Sequence, residues 1–220
     1  FAGANPANLS CVELYDGTSW SLGNSTNQVA TFPFNAGTQN AALKAGGFLV
    51  PTGILSVTEE YNGVSWVVSC NMITTQGNGG SGGLQSAAYI AGGSTPTTST
   101  GTQEYTKEFI SPYTTCVWSK GAPLNVARGY GASFGTQDAA VYASGYSGAS
   151  PASEAVEEWN GTLWSAANAL IKDRYNASGA GTQNAGLVFG GRDVPTTTLS
   201  CTEEYDGTNF AAGGALSTAR

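Results

Sequence analysis

The segment Thr58-Glu-Glu-Tyr-Asn-Gly-Val-Ser-Trp66 decides the fold, because close copies of it return along the whole chain. Three copies begin at residues 12, 156 and 202, and a stretched one runs from Thr106 through Pro112 to Trp118. With starts at residues 12, 58, 106, 156 and 202, the copies lie 46 to 50 residues apart. A period of this length without helical periodicity indicates tandem β-structure.

A second, glycine-bounded element precedes each of the last four copies. It spans residues 37–47, 83–93, 135–145 and 181–191. Its Gly-Thr-Gln start is typical of a tight turn, so we predict a strand A, this turn and a strand B. Strand B is expected to end at a structural glycine, namely Gly47, Gly93, Gly145 and Gly191.

The Asp-Gly and Asn-Gly pairs within the first element predict two-residue type I′ hairpins that join strands C and D. Each repeat then supplies four strands. We therefore predict an all-β fold, a β-propeller of about five four-stranded blades, in preference to a solenoid.

One domain is expected over residues 1–220, with repeats at about 1–26, 27–72, 73–124, 125–170 and 171–220, the first and last incomplete. The chain carries five outer hairpins but four inner ones. We expect five blades with a seam in one of them. The alternative is that this is a piece of a longer chain that forms a larger ring.

Two sets of aromatic residues are expected to hold neighbouring blades together, since burying one large ring contributes about 2–3 kcal/mol. The strand C set is Tyr15, Tyr61, Phe109, Trp159 and Tyr205, and the strand D set is Trp20, Trp66, Trp118, Trp164 and Phe210.

Composition disfavours several classes of function. A net charge of −7 with only 8 basic residues disfavours nucleic acids and anionic membrane surfaces, and the apolar runs are strand-sized, so we expect no membrane insertion. The chain has no histidine, which removes the usual general base of serine nucleophiles. Cysteines 11, 70, 116 and 201 form no CxxC pair. We expect no enzyme, metal or cofactor, and we favour Cys11, Cys70, Cys116 and Cys201 as free buried thiols over disulfides.

The glycine pair that ends strand B, the aromatic that ends strand C and the Trp that opens strand D resemble the kelch-like repeat of β-propellers. More narrowly, the motif Thr-Glu-Glu-Tyr-Asp-Gly-Thr-Ser-Trp resembles kelch-like arrays of phage and bacterial surface proteins. The resemblance covers essentially the whole chain and implies the fold, whereas a function has to be argued from a site.

The loops between strands B and C form one face of such a propeller with the D–A loops, and we favour this face for binding. Candidate residues there are Thr52, Thr97, Tyr146, Arg192 and Thr196. An inert set of connectors is the alternative.

Two further repeated features are interpreted as structural. The paired acids at 59–60, 157–158 and 203–204 cannot act together because neighbours in a strand point to opposite faces. We expect them to bind Arg128, Arg174 and Arg220 at the start of strand A, a position held by Thr31 and Gln76 in the other repeats. Gln39, Gln85, Gln137 and Gln183 are interpreted as turn-capping amides rather than a ring of ligand sites.

These features favour a non-catalytic structural or adhesive surface module, extracellular or on a virion. The alternative is a lectin-like carbohydrate-binding propeller. The expected partner is a protein or a surface glycan, and formation of a homo-oligomer is left open.

Overall fold

A computed structural model describes residues 4–5, 7–8, 10–94, 97–110, 113–148, 152–194 and 197–220, with side chains from residue 10 on except at 109–114. The regular structure of these residues is entirely β. The chain is a β-propeller, as the repeat predicts.

Four complete blades follow one another along the chain, each with its four strands in antiparallel order. Blade 1 is represented by an outer hairpin, and two small hairpins lie in the first two B–C loops. The strands of blade 1 and its loop are β1 (Ala4–Asn5), β2 (Ala7–Asn8), β3 (Val12–Tyr15) and β4 (Trp20–Gly23). Blade 2 contains β5 (Phe34–Thr38), β6 (Ala41–Ala45), β9 (Thr58–Tyr61) and β10 (Trp66–Val68), with β7 (Phe48–Leu49) and β8 (Gly53–Ile54) in its loop.

Blades 3 to 5 have the same strand order. Blade 3 contains β11 (Gly80–Leu84), β12 (Ala87–Ala91), β13 (Thr102–Ile110) and β14 (Tyr113–Gly121). Blade 4 contains β15 (Ala132–Gly135), β16 (Ala140–Ala143), β17 (Val156–Trp159) and β18 (Trp164–Ala167). Blade 5 contains β19 (Ser178–Thr182), β20 (Ala185–Phe189), β21 (Thr202–Tyr205) and β22 (Phe210–Ala212). The A strands lie innermost, β5 against β11, β11 against β15 and β15 against β19.

The C–D turns differ from the predicted type I′ hairpin. In blade 2, Tyr61 pairs with Trp66, so the loop between them has four residues. Asn62 Oδ1 accepts hydrogen bonds from the backbone N–H groups of Val64 and Ser65, both 2.9 Å long. Gly63 has a positive φ of 90°. The side-chain oxygen thus organises the turn and the glycine supplies the left-handed residue, a pattern repeated at Asp16, Asn160 and Asp206.

In the complete blades both aromatic sets are buried, with one correction to the alignment. Tyr105, not Phe109, lies opposite Trp118, because β13 and β14 form a hairpin that extends five residues further on each strand before it turns. The side chain of Phe109 lies outside the described residues. The buried rings of the two sets are therefore Tyr61, Trp66, Tyr105, Trp118, Trp159, Trp164, Tyr205 and Phe210.

The glycine that ends each B strand joins its blade to the next one. Gly93 N–H donates to Arg128 O at 2.7 Å, and a Cβ there would lie 2.4 Å from Gly77 O. Because φ is +91° as well, only glycine fits without rearrangement. Gly47, Gly145 and Gly191 make the equivalent bonds to the backbone oxygens of Gln76, Arg174 and Arg220. This close backbone contact explains the second glycine of the recurring pair.

Two cysteines that we favoured as free thiols form a disulfide. Cys70 follows strand D of blade 2, Cys116 lies in strand D of blade 3, and their Cα atoms are 6.0 Å apart. The bond therefore links the outer strands of neighbouring blades. Cys11 is an exposed free thiol and Cys201 a partly buried one, and Cys201 Sγ accepts a hydrogen bond from Arg174.

Candidate functional site

The loop face favoured by the sequence carries a depression at the propeller axis. The residue after each B-strand glycine forms a β-bridge with a residue shortly before strand A. Examples are Tyr146 with Gly129 and Arg192 with Tyr175. Tyr146 and Arg192 thus pair with the backbone that leads into the inner strands of blades 4 and 5. Thr52 and Thr97 are exposed, and Thr196 lies outside the described residues.

A ring of four residues with positive φ surrounds this depression. The residues are Phe32, Asn78, Tyr130 and Asn176, one from each complete blade, with φ of 50°, 61°, 59° and 55°. Backbone hydrogen bonds connect them in order, from Asn78 N to Phe32 O, from Tyr130 N to Asn78 O and from Asn176 N to Tyr130 O, at 3.3, 2.5 and 2.7 Å. Asparagine tolerates this conformation, whereas for phenylalanine and tyrosine it is strained.

The depression has a volume of about 390 Å³ and an uncharged lining. The Phe32 and Tyr130 rings meet across it at 6.4 Å between centroids and an interplanar angle of 81°. Asn78 lies between them in the ring, and Asn176 follows Tyr130. The lining is completed by Pro33, Gly79, Gly131, Ala177 and Ser178.

The side chain of Asn78 is fixed in the depression by hydrogen bonds. Its Nδ2 donates to Tyr130 Oη at 3.1 Å and more weakly to Ser94 Oγ at 3.4 Å. Its Oδ1 is buried and accepts no hydrogen bond from the described residues. A buried acceptor without a partner is costly, which makes this oxygen a candidate contact for a donor group of a ligand.

The sequence did not single out the ring, because its members share a backbone conformation and not a residue type. The available signal was positional: residues 32, 78, 130 and 176 lie two residues after the repeat position of Ala30, Gln76, Arg128 and Arg174. Two of the four are asparagines, which favour left-handed conformations.

The expected Glu–Arg bridge exists below this face and varies between blades. Arg174 Nη2 lies 2.5 Å from Glu203 Oε1, and both side chains are buried. In blade 3, Gln76 and Gln103 replace the ions, and Gln103 Nε2 donates to Gln76 Oε1 at 2.6 Å. Gln76 Nε2 donates to the backbone oxygens of Gly92 and Gly101, as Arg174 Nη1 does to those of Gly190 and Cys201.

Blade 2 corrects the expected substitution at Thr31. The buried residue at the arginine position is Ala30, and the cation comes instead from Lys44 on strand B. Lys44 Nζ lies 2.8 Å from Glu59 Oε2. Burial lowers the pKa of Lys44 although Glu59 opposes that shift. Every complete blade therefore keeps a matched polar pair at this place.

In blades 2 and 4 the second acid of the pair points to the next blade. Glu60 accepts hydrogen bonds from Tyr105 and Lys107 of blade 3, and Glu158 accepts one from Tyr205 Oη at 2.7 Å. Neighbouring acids of one strand thus have separate partners.

The repeated glutamines also connect blades. Gln85 Nε2 donates to the backbone oxygens of Ala42 and Tyr61 in the preceding blade, at 3.0 and 2.6 Å. Gln183 makes the same two bonds to Ala140 and Trp159. The prediction of a turn cap is therefore wrong for these two residues, which bind across the blade interface.

Comparison with known proteins adds no assignment, since no protein-family model matches the chain and no curated protein matches it. Among the described residues, no three His, Cys, Asp or Glu side chains group as a metal site. The part of the chain that the structure describes also contains no helix long and apolar enough to cross a bilayer.

Proposed function

We propose that this chain is a non-catalytic kelch-like propeller that acts as a structural or adhesive surface module, extracellular or on a virion, and contacts its partner at the axial depression. The observation that carries the proposal is the strained pair Phe32 and Tyr130 in the left-handed ring. Strain of this kind concentrates at functional positions because the surrounding structure has to maintain it.

The surroundings of the pair support a binding role. Phe32 is 56% exposed, although the blade that carries it is complete. Its ring gains little from burial, so burial does not account for an aromatic residue at a position where two other blades hold asparagine. Presentation of a ring to a partner does account for it.

The surface location is supported by the Cys70–Cys116 disulfide. Disulfides persist in oxidising environments and are rare in the cytosol of mesophiles. A low content of charged side chains and near-identical repeats fit a module whose main task is to keep a rigid shape.

A lectin-like role is the second candidate, favoured by the chemistry of the depression. Two aromatic rings alternate with two carboxamides, and none of the lining residues carries a charge. Aromatic faces suit the C–H surface of a neutral sugar ring, and carboxamides suit its hydroxyl groups.

The two candidates are separated by a glycan array combined with light scattering of the protein in solution. Binding of related neutral glycans with Kd roughly in the micromolar to millimolar range supports the lectin. Multimers without glycan binding support the structural module. A monomer that binds no glycan contradicts the lectin and a module that assembles with copies of itself.

A variant set assigns either activity to the depression. Phe32→Asn with Tyr130→Asn places at both positions the residue that the other two blades hold there. Val64→Asn is the matched control, since Val64 is exposed in the C–D turn of blade 2, on the opposite face. We expect the double variant alone to lose glycan binding or multimer formation. Equal behaviour of the two proteins would place the contact elsewhere.

A further inference from the structure

Blade 1 exposes two rings that every complete blade buries. Tyr15 is 43% and Trp20 67% exposed, whereas the eight residues at the same repeat positions are at most 8% exposed. In the complete blades these rings lie under strand B of their own blade and against the preceding blade. The exposed rings and the inner edge of β3 together are called the β3 edge.

The β3 edge already has the geometry of a complete blade. The Tyr15 and Trp20 rings lie 5.0 Å apart at 36°, and the Tyr61 and Trp66 rings of blade 2 lie 5.1 Å apart at 35°. The hairpin therefore does not need to rearrange before it is covered. Pre-organisation of this kind lowers the cost of binding.

The other blades show what covers such an edge. Their C strands pair with a B strand, with a small residue opposite the aromatic, as in Ala42 with Tyr61, Ala140 with Trp159 and Gly186 with Tyr205. Among the described residues, β3 pairs with β4 alone. A strand with small residues facing Tyr15 is thus the complementary surface.

The covering element has to be a hairpin and not a single strand. A lone B strand would carry an unpaired inner edge, which in the four complete blades is paired with an A strand. Backbone hydrogen bonds to β3 would supply affinity, and the small residues would supply specificity.

We propose that the β3 edge binds, by strand addition, a two-stranded hairpin with the A–B sequence of this repeat, supplied by another polypeptide segment. Residues 175–191, which include β19 and β20, are the template, since they carry no charge before Arg192 and place Gly186 opposite the aromatic. This interaction is independent of the axial depression.

The test uses Trp20 as a built-in probe. The other four tryptophans, Trp66, Trp118, Trp159 and Trp164, are buried, so acrylamide quenching reports chiefly on Trp20. A peptide of residues 175–191 is titrated into the intact chain. We expect saturation at one peptide per chain, a blue shift and a fall of the quenching constant by about half or more. A peptide of shuffled order should change neither signal.

A labelled peptide tests the site by fluorescence anisotropy. Trp20→Ala should weaken binding about tenfold or more, because the ring is part of the covered surface. Val68→Ala is the matched control, an exposed apolar residue on strand D of the complete blade 2, and should bind as the unmodified chain does.

Three results would overturn the proposal: no saturable binding, equal effects of native and shuffled peptide, or equal affinity of the Trp20→Ala variant. Protection of Trp20 from acrylamide in a dimer without peptide would overturn it too, since a second copy would then cover the edge. Phe32→Asn with Tyr130→Asn should bind the peptide normally, so failure of the proposed function leaves this test unaffected.

Discussion

Arg128 and Glu157 form a buried ion pair with an Nη2–Oε1 distance of 2.9 Å. Arg128 Nη1 also donates to the backbone oxygens of Ser144 and Ala155, the first and last residues of the B–C connection of the same blade. Glu157 accepts the backbone N–H groups of Asn125 and Val126 in the D–A connector. The pair therefore fastens the connector that leads into the inner strand to the middle of the sheet.

Removal of one partner should be far more costly than replacement of both. Arg174→Ala leaves Glu203 buried without its cation, and we expect a loss of about 3–5 kcal/mol in the free energy of unfolding. The double variant Arg174→Gln with Glu203→Gln copies the Gln76–Gln103 pair of blade 3, and should lose less than about half as much. Urea denaturation measures both. Unchanged stability of Arg174→Ala would show that the ion pair is dispensable.

Glu60 and Glu104, at the same position of strand C in neighbouring blades, should respond oppositely to pH. Burial raises the pKa of Glu60, but hydrogen bonds from Lys107, Tyr105 and Ser69 outweigh it and hold the pKa below its usual value. Burial, and next the charge of Asp138, raise the pKa of Glu104. Glu60 thus adds stability that is lost as the pH falls through its folded pKa. Glu104 adds stability only on the acid side and loses it as the pH rises through its folded pKa.

Substitution by glutamine tests this contrast. At neutral pH, Glu60→Gln should lower the unfolding free energy by about 1–3 kcal/mol because charged hydrogen bonds are lost, and Glu104→Gln should raise it slightly. Near pH 4 both differences should shrink, because the carboxylates of the unmodified chain become protonated. Thermal denaturation at the two pH values gives the comparison. The same sign for both variants at neutral pH would contradict the assigned partners.

The repeat made the strands predictable, because hydrophobic alternation and glycine pairs act locally and recur. The predictions of the C–D turn and of the blade 3 alignment were wrong for two different reasons. Asn62 Oδ1 organises a four-residue turn that the Asn-Gly pair alone suggests to be shorter. In blade 3 the sequence Thr106-Lys-Glu-Phe109 imitates the motif, but the true equivalent, Thr102 to Tyr105, lies four residues earlier.

The candidate site was predictable only in part. The favoured loop face does carry the axial depression, because the strand order of a propeller fixes which loops share a face. The individual residues were not predictable, since Phe32 and Tyr130 differ from the asparagines of the other blades and only their shared φ unites them. Thr52 and Thr97 were proposed from their place in the B–C loops, and the structure shows both as exposed.

The strain at Phe32 should be measurable as a gain of stability on its removal. Phe32→Asn keeps the left-handed backbone with a residue that tolerates it and gives up a largely exposed ring. We expect the free energy of unfolding to rise by about 0.5–1 kcal/mol, with the lost contact to Tyr130 limiting the gain. Asn176→Phe is the reverse change at the same ring position and should lower it by about 1 kcal/mol. If neither variant differs from the unmodified chain, the ring is not strained.

The disulfide between Cys70 and Cys116 should stabilise the contact between blades 2 and 3. It closes a loop over a sequence separation of 46 residues, for which the chain-entropy estimate is about 4 kcal/mol. The variant Cys70→Ala with Cys116→Ala should therefore unfold at a lower urea concentration than the oxidised chain and should not respond to a reducing agent. Cys11→Ala with Cys201→Ala is the control, and reduction should still destabilise it. Thiol titration of the unfolded, unreduced chain should count two free cysteines, Cys11 and Cys201. A count of four would mean that the two outer strands are held by packing alone.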